Sequence, residues 1–240
     1  MRYYVPRIEA PDARNPQGRV IDKLGGLPWG VSPDQWPVCT DCGRHQTHLA
    51  TLLHDADRIN LGEPSRVLML FQCDWDPGMC DTWSADSGGS VALVVDADVL
   101  LHRLSAPPVD GLPVGTEGWI SQWTVADDGV DAEMYPAFFI DGERNLLDAT
   151  VVDGIPQGTK VGGTPYWIQG ADDAPGTGWR FVLQLDGQLR FATDPGRAVK
   201  ARRQNGSWVA DGPNFGDMGM AYVFVSADDP TRTILFWQCG

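Results

Sequence analysis

The chain has 240 residues, of which 42% are apolar and ten are tryptophan, and its formal net charge is −14. This length suits one large or two small domains, and the apolar content suffices for a core without help from metals or disulfides. The acidic balance argues against nucleic acid and against an anionic membrane surface as partners, because both would be repelled. It favours a solvated acidic surface or a basic partner.

The amino-terminal residues contain no apolar stretch of signal-peptide length. No window approaches the roughly 18 consecutive apolar residues that a membrane-spanning helix needs. We therefore predict a cytoplasmic protein that does not span a membrane. Thiols are kept reduced in that compartment, which favours metal binding or free thiols over disulfides.

Glycine and proline are spread along the whole chain, with 28 Gly and 18 Pro, which predicts many short segments and argues against a helical bundle. Residues 47–59 are the best helical candidate, although LATLL could equally form a strand. Short runs rich in Val, Ile, Phe and Trp predict strands at Arg66–Cys73, Ser90–Val95, Trp119–Val125, Ala137–Ile140, Trp179–Leu185, Leu189–Ala192, Ala221–Ser226 and Thr233–Gln238. Asp186-Gly187 predicts a hairpin and Asn205-Gly206 a turn. The predicted fold class is mainly β (α+β), with mostly antiparallel sheets and short helices.

Four of the five cysteines form two pairs, Cys39-x-x-Cys42 and Cys73 with Cys80. Two thiolates on a turn, joined by a second pair that strand pairing brings near, are typical of a tetrahedral all-cysteine zinc site. Gly43 directly follows the first pair and could supply a left-handed backbone position. The pattern predicts a structural zinc held by these four cysteines.

Other interpretations of the cysteines remain open at this point. They could form a disulfide if the protein is exported, or they could be buried free thiols. His45 or His48 could replace one cysteine in a site of three thiolates and one imidazole, although such histidines are more often surface residues without a role. Cys239 is left over near the end of the chain and is interpreted as a core thiol.

Short motifs recur in the same order in the two parts of the chain. Each part has a Gly-Gly-x-Pro element, then an apolar run, then a strand that ends in Gln-Cys. The matching segments are Leu24–Trp29 with Val161–Trp167, His48–Leu53 with Phe181–Leu185, and Leu70–Cys73 with Leu235–Cys239. The shared order predicts an internal duplication into two β-rich halves. We place the halves at residues 1–150, with the four-cysteine knuckle, and 151–240, without the cysteine pair.

Taken together, the blocks LGGLPWG, WPVCTDCGR, LFQCDWDPGMCDTW and VGGTPYWIQG resemble the bacterial YwqG-like family. They are more distantly similar to the eukaryotic programmed-cell-death-two and ribosome-maturation proteins that escort a ribosomal protein. The resemblance covers most of the chain from about residue 20 to residue 240. It implies a duplicated β-rich fold and a role in protein or peptide binding, either as a chaperone-like escort or in bacterial immunity or stress. It carries no catalytic residues to this chain.

The loop from Cys73 to the strand predicted at Ser90–Val95 is rich in acids and tryptophan. Aromatic side chains supply large contact areas in interfaces, and acids select a basic partner. We therefore predict a partner-binding surface formed by Trp75, Trp83, Asp74, Asp76 and Asp81. Solvated turn acids and core tryptophans are the plainer interpretation of the same residues.

A non-catalytic binding module for a protein or peptide is the function that the sequence favours. The alternative is a metal-dependent enzyme that uses the acid-rich loop around residues 74–86. That alternative is weaker, because a zinc ion closed by four thiolates has no open position for water. The chain also has no Gly-x-Ser-x-Gly motif and no phosphate-binding loop motif.

Overall fold

The computed structural model of the protein describes residues 1–76, 78–109, 114–194 and 200–240. Thirteen strands within these residues join into one sheet, and all of its pairings but one are antiparallel. The prediction of a mainly β fold is therefore confirmed. The strands are β1 (Arg2–Glu9), β2 (Lys23–Leu24), β3 (Thr47–Leu53), β4 (Arg66–Gln72), β5 (Ser90–Asp96), β6 (Gly118–Asp127), β7 (Lys160–Gly162), β8 (Trp179–Asp186), β9 (Gln188–Phe191), β10 (Ala201–Gln204), β11 (Ser207–Asp211), β12 (Met220–Ser226) and β13 (Thr233–Gln238).

Helical segments are short in the described part of the chain. They are α1 (Asp141–Arg144), α2 (Ala149–Asp153) and two 3-10 turns at Ala97–Val99 and Tyr135–Phe139. None of the helices within the described ranges has the length and apolar content needed to cross a membrane.

The central strands β1 and β6 pair with each other and separate two groups of four strands. Beyond β6 follow β2, β3, β4 and β5, which we name the first strand group. Beyond β1 follow β7, β8, β12 and β13, which we name the second strand group. Both groups run outward from the centre in chain order. Their outer strands approach each other, because Thr233 Oγ1 on β13 donates a hydrogen bond of 2.6 Å to the carbonyl of Ala92 on β5.

The sheet buries apolar side chains on both of its faces, because successive strand residues point to opposite sides. On β4, Leu70 lies in a large core shared by the two strand groups, whereas its neighbour Phe71 lies in an outer cluster with Trp36. On β12, Tyr222 lies in a separate outer cluster with Trp167. Each strand group therefore has its own outer apolar layer, closed by a tryptophan from a loop.

The two Gly-Gly-x-Pro elements adopt the same backbone conformation. Gly25 and Gly26 have φ values of 62° and 64°, and Gly162 and Gly163 have φ values of 72° and 68°. These left-handed values favour glycine. A Cβ atom on Gly25 would also lie 1.8 Å from the carbonyl oxygen of Thr116, so no larger residue fits there. The first glycine pair directly follows β2, and the second pair lies at the end of β7. These are the innermost strands of the two groups.

The two Gln-Cys strand ends that the sequence comparison matched occupy different places in the sheet. Cys73 follows β4, the third strand of the first group, whereas Cys239 follows β13, the fourth strand of the second group. The third strand of the second group is β12, which ends at Ser226. The duplication itself, and the division into residues 1–150 and 151–240, stay predictions.

The strand predicted at Ala137–Ile140 is wrong. These residues largely belong to the 3-10 turn, which has Pro136 near its beginning. Proline fixes φ at about −65° and lacks an N–H, so it suits the start of a helical turn. The ambiguous segment 47–59 forms strand β3 as far as Leu53. The other predicted strands are confirmed, and the turn at Asn205 joins β10 to β11.

The hairpin predicted at Asp186-Gly187 is also wrong, because β8 and β9 do not pair with each other. Strand β8 already has β7 and β12 on its two edges, so neither edge is free. The backbone N–H of Gly187 instead donates a hydrogen bond of 3.2 Å to the carbonyl of Gly219. The turn therefore redirects the chain into β9, which pairs with β11 and touches β1.

Candidate metal centre and neighbouring groove

The first cysteine pair lies on a tight turn between Trp36 and strand β3. The N–H of Gly43 donates to the carbonyl of Cys39 at 2.9 Å, and the N–H of Cys39 donates to the carbonyl of Arg44 at 2.8 Å. Gly43 has a φ of 70°, the left-handed conformation that its place in the sequence suggested. This turn presents the thiols of Cys39 and Cys42 to the same side.

The second pair brackets a turn that begins where β4 ends. The N–H of Cys73 donates to the carbonyl of Gly89 at 2.9 Å, which continues the pairing of β4 with β5. The N–H of Cys80 donates to the carbonyl of Asp76 at 3.3 Å, so the chain turns back toward Cys73. Gly78 within this turn has a φ of 84°.

The four sulfur atoms converge. Sγ of Cys39, Cys42, Cys73 and Cys80 all lie within 4.8 Å of one another, and the Cys42 and Cys73 sulfurs are 3.6 Å apart. Four sulfurs about 2.3 Å from a tetrahedral zinc would lie about 3.8 Å from each other. The cluster could therefore hold a metal ion and is compatible with zinc. Within the described ranges, it is the one convergent group of three or more His, Cys, Asp or Glu side chains.

The pKa values of the thiols shift in different directions. Burial raises the pKa of Cys73 and raises the pKa of Cys80 to about 11. For Cys42, burial acts in the same direction, but hydrogen bonds from the Arg44 backbone and the neighbouring thiols outweigh it and lower the pKa. A bound dication would favour the thiolate form at all four positions, because metal binding displaces the thiol proton.

The two cysteine turns are also joined by hydrogen bonds outside the cluster. Asp41 Oδ2 accepts a bond of 2.7 Å from the N–H of Asp81, and Gln46 Nε2 donates a bond of 2.7 Å to the carbonyl of Gly88. Within the loop at 73–90, a Cβ atom on Gly89 would lie 2.2 Å from the carbonyl oxygen of Asp81, so these two parts of the loop pack closely. The turn at 39–43 and the loop at 73–90 thus form one unit.

Neither nearby histidine belongs to the cluster. His48 is buried, and its Nε2 lies 2.8 Å from Thr51 Oγ1 while its Nδ1 lies 3.2 Å from the carbonyl of Gly25. Burial, and then the charge of Lys23, lower the pKa of His48 to about 3, so the ring is neutral. His45 pairs through its backbone with Val38 across the knuckle, and the convergent ligand atoms within the described ranges come from the four cysteines alone. The alternative in which a histidine replaces one cysteine is therefore wrong for the arrangement described.

The predicted partner-binding residues lie in unlike surroundings. Trp75 is partly buried, donates its indole N–H to the carbonyl of His45 at 2.7 Å, and packs against the cysteine cluster. Asp74 is also partly buried, and that burial raises its pKa. The carboxylate of Asp81 accepts the N–H of Ser84, whereas Asp76 is exposed.

Trp83 differs from these residues because its side chain faces solvent in a groove. Its exposed fraction is 46%, and its ring meets the ring of Trp237 edge to face, with centroids 6.2 Å apart. The groove has a volume of about 630 Å³, and Asp86 and Asp173 line it along with these two rings. The sequence did not predict Trp237 or Asp173 as site residues, because they lie far along the chain and carry no motif.

Fold and site together define a mainly β protein with a cluster of four cysteines that could bind a metal. Comparison with models of known protein families gives no match, and comparison with curated proteins gives none either. The resemblance to the YwqG-like family therefore stays a prediction.

Proposed function

We propose that the protein is a non-catalytic module that binds a protein or peptide, as a chaperone-like or immunity-related factor would, and that a structural zinc shapes its binding loop. One observation carries this proposal: the loop tethered by Cys73 and Cys80 presents a half-exposed tryptophan, Trp83, beside Trp237 and two acids. A cytoplasmic location, where thiols stay reduced, is part of the same proposal.

The chemistry of the donor set supports zinc. Four thiolates are soft ligands, and a tetrahedral arrangement of four sulfurs is typical of zinc or of iron bound to sulfur. Three of the four cysteines are buried, and backbone N–H groups fix the turns that carry them. Such a site is structural because no ligand position remains open for a substrate.

The groove beside the loop supports a basic partner. Trp83 and Trp237 offer ring surfaces on which an arginine or lysine side chain can rest, and Asp86 and Asp173 supply negative charge at the same place. The net charge of −14 would attract such a partner over a distance and speed its encounter. Trp75 and Asp74 would contribute by holding the loop.

Nothing in the arrangement of the acids favours the enzyme alternative. Within the described ranges, the carboxylates of the loop around residues 74–86 do not converge into a metal-ligating group. Asp81 is also engaged in hydrogen bonds to its own loop. The acids are better suited to attracting a cation than to coordinating a catalytic metal.

The test is binding of a fluorescent hexapeptide of alternating Gly and Arg, measured by anisotropy at two salt concentrations. We expect binding that weakens with salt, because exposed charges are screened over about 8 Å at physiological ionic strength. Trp83→Ala and Asp86→Asn should each weaken it about tenfold. Asp211→Asn removes the same charge from an exposed site on β11 and serves as the control. Equal binding of a Gly-Glu hexapeptide, or no effect of either groove variant, would contradict the proposal.

A further inference from the structure

A second groove lies between the 3-10 turn Tyr135–Phe139, the loop around Pro175 and the beginning of β8. Its volume is about 420 Å³. Small-molecule sites typically have volumes of about 300 to 1,000 Å³, so a compact organic ligand fits this space. The groove shares no lining residue with the groove at Trp83.

Aromatic rings form its walls, and packing holds them in place. The ring centroids of Tyr135 and Phe139 are 5.0 Å apart in an edge-to-face arrangement, and those of Phe139 and the buried Trp167 are 6.3 Å apart. The ring of Phe181 on β8 packs on that of Phe224, with centroids 5.6 Å apart. A ligand would thus meet a preformed apolar surface, which lowers the ordering cost of binding.

Arg180, an exposed residue at the beginning of β8, lines this groove and has no acidic partner among the described residues. Its Nη2 donates a hydrogen bond of 2.6 Å to the carbonyl of Asn60. Among the residues that the structure describes, no carboxylate lies within 4.0 Å of it, although the chain carries 32 acidic residues. A guanidinium has five N–H donors, and within the described ranges the carbonyl of Asn60 is the one acceptor bonded to that of Arg180, so the other donors can serve a ligand.

A second donor belongs to a residue that lines the same groove. The hydroxyl of Tyr135 has no hydrogen-bond partner within the described part of the chain, and Tyr135 lines the groove with Arg180. Burial raises the pKa of Tyr135 to about 12, so the hydroxyl keeps its proton at neutral pH and can donate it. Burial also lowers the pKa of Arg180, which remains a cation because its ordinary value is so high.

We propose that this groove binds a small organic acid, with its apolar body between the aromatic rings and its carboxylate on the Arg180 guanidinium and the Tyr135 hydroxyl. A carboxylate matches the planar fork of arginine and its single charge. A phosphate dianion would add a second charge, and an amine would be repelled by Arg180. This site is separate from the proposed peptide groove, and its test does not depend on that proposal.

The experiment titrates the nitrogen-15-labelled protein with 2-naphthylacetate and with its neutral amide, 2-naphthylacetamide. Indole N–H resonances report on the ten tryptophans individually, and Trp179→Phe identifies the one in the groove wall. We expect the acid to shift the Trp179 resonance, and the amide to bind at least about tenfold more weakly, because it lacks the charge-assisted bonds.

The variants separate the two donors. Arg180→Gln should weaken binding of the acid about tenfold or more, and Tyr135→Phe should weaken it less, since that hydrogen bond is neutral on the protein side. Arg202→Gln removes an exposed arginine from β10 and should leave binding unchanged. Should Arg180→Gln fail to fold, Arg180→Lys keeps the charge and should still lose affinity, because it loses the fork.

Three results of the experiments with acid and amide would overturn the proposal. They are equal binding of acid and amide, unchanged affinity in the Arg180 variants, and the absence of a Trp179 shift at millimolar acid. A peptide with a free carboxyl-terminal Phe offers the same carboxylate from another source. Tighter binding of that peptide than of 2-naphthylacetate would reassign the groove to peptide termini and contradict the small-acid assignment.

Discussion

Each strand group buries a lysine at the equivalent position of its innermost strand. Lys23 and Lys160 lie in the innermost strand of each group, two residues before a left-handed glycine pair, and are 0% and 1% exposed. Each reaches the carbonyl four residues further along the chain. Nζ of Lys23 donates to Leu27 at 2.8 Å, and Nζ of Lys160 donates to Thr164 at 2.6 Å.

The charge of the two lysines is compensated differently. Lys23 forms an ion pair with Glu117, whereas Lys160 has no acid at ion-pair distance within the described ranges and is influenced by Asp128 from further away. Burial lowers the pKa of both lysines, and it lowers the pKa of Lys160 to about 7. The shared backbone thus requires a hydrogen-bond donor for a loop carbonyl. The charge of that donor is compensated by a close acid in the first group and not in the second.

The loops outside the two strand groups are also held in place by different interactions. In the first group, the turn at 39–43 and the loop at 73–90 bring four thiols together, where a metal could join the two segments. In the second group, hydrogen bonds hold the loop that follows Trp167. Asp141 Oδ1 accepts the N–H of Ala171 at 2.6 Å, and Gln238 Nε2 donates to the carbonyl of Gly170 at 2.8 Å. A metal would concentrate stability at one point, whereas hydrogen bonds distribute it.

The largest expected effect comes from removing one cysteine of the four-cysteine cluster. Cys73→Ala should abolish metal binding and lower the free energy of unfolding by about 4 kcal/mol, because loss of a structural metal is among the most damaging single changes. Elemental analysis and urea unfolding measure the two results. Cys239→Ala, outside the cluster, should keep the metal. A Cys73→Ala protein with full metal content and parental stability would contradict the account.

A smaller effect on the free energy of unfolding is expected from replacing the two lysines, and it should differ between them. Lys23→Met removes the cation that pairs with Glu117, which keeps the indole N–H of Trp119, and should lower the free energy of unfolding by about 3 kcal/mol. Lys160→Met removes a buried charge that has no close acid, so its cost should be about 1 kcal/mol or less at pH 6. Urea unfolding of both variants under identical conditions makes the comparison. Equal losses would mean that the carbonyl hydrogen bond, and not charge compensation, dominates at both sites.

Lys160 should also make stability depend on pH. Its folded pKa of about 7 lies below the unfolded value of about 10.4, so between these values the unfolded state binds more protons. The free energy of unfolding should therefore rise with pH across this window, by up to about 1.4 kcal/mol per pH unit. The difference between the parent and Lys160→Met, measured from pH 6 to pH 9, isolates this contribution. A difference that stays constant with pH would exclude it.

The smallest effect is expected in the loop held by hydrogen bonds. Asp141→Ala removes the acceptor of the Ala171 N–H and should cost about 1 kcal/mol, because the remaining bonds still hold the loop. Asp172→Ala, an exposed neighbour, is the control for removal of a charge. A loss for Asp141→Ala as large as that for Cys73→Ala would remove the contrast between the two regions.

The strands that the sequence predicted are those with a strong local pattern. Strands β4 and β12 are nearly continuous apolar runs, because both of their faces are buried. Strand β1 was not predicted, since Arg2–Glu9 mixes charges with Pro6 and becomes a strand through its pairing with β6 and β7. The same dependence on neighbours explains why Asp186-Gly187 does not form a hairpin.

Some parts of the candidate site could be predicted from local sequence patterns, and others could not. The spacing of the four cysteines was enough to predict their convergence, because a turn and a pair of adjacent strands bring them together locally. The pairing of Trp83 with Trp237 could not be predicted, since it depends on the approach of the outer strands β5 and β13. Nor did the sequence distinguish Trp75, which packs inward, from Trp83, which is exposed in the groove.

X-ray absorption at the zinc edge, on protein purified without added metal, tests the central claim most directly. The account predicts one zinc per chain, surrounded by four sulfur scatterers at about 2.3 Å, with the signal lost in Cys73→Ala. Zinc coordinated mainly by nitrogen or oxygen, or protein without metal whose four thiols react freely, would contradict it.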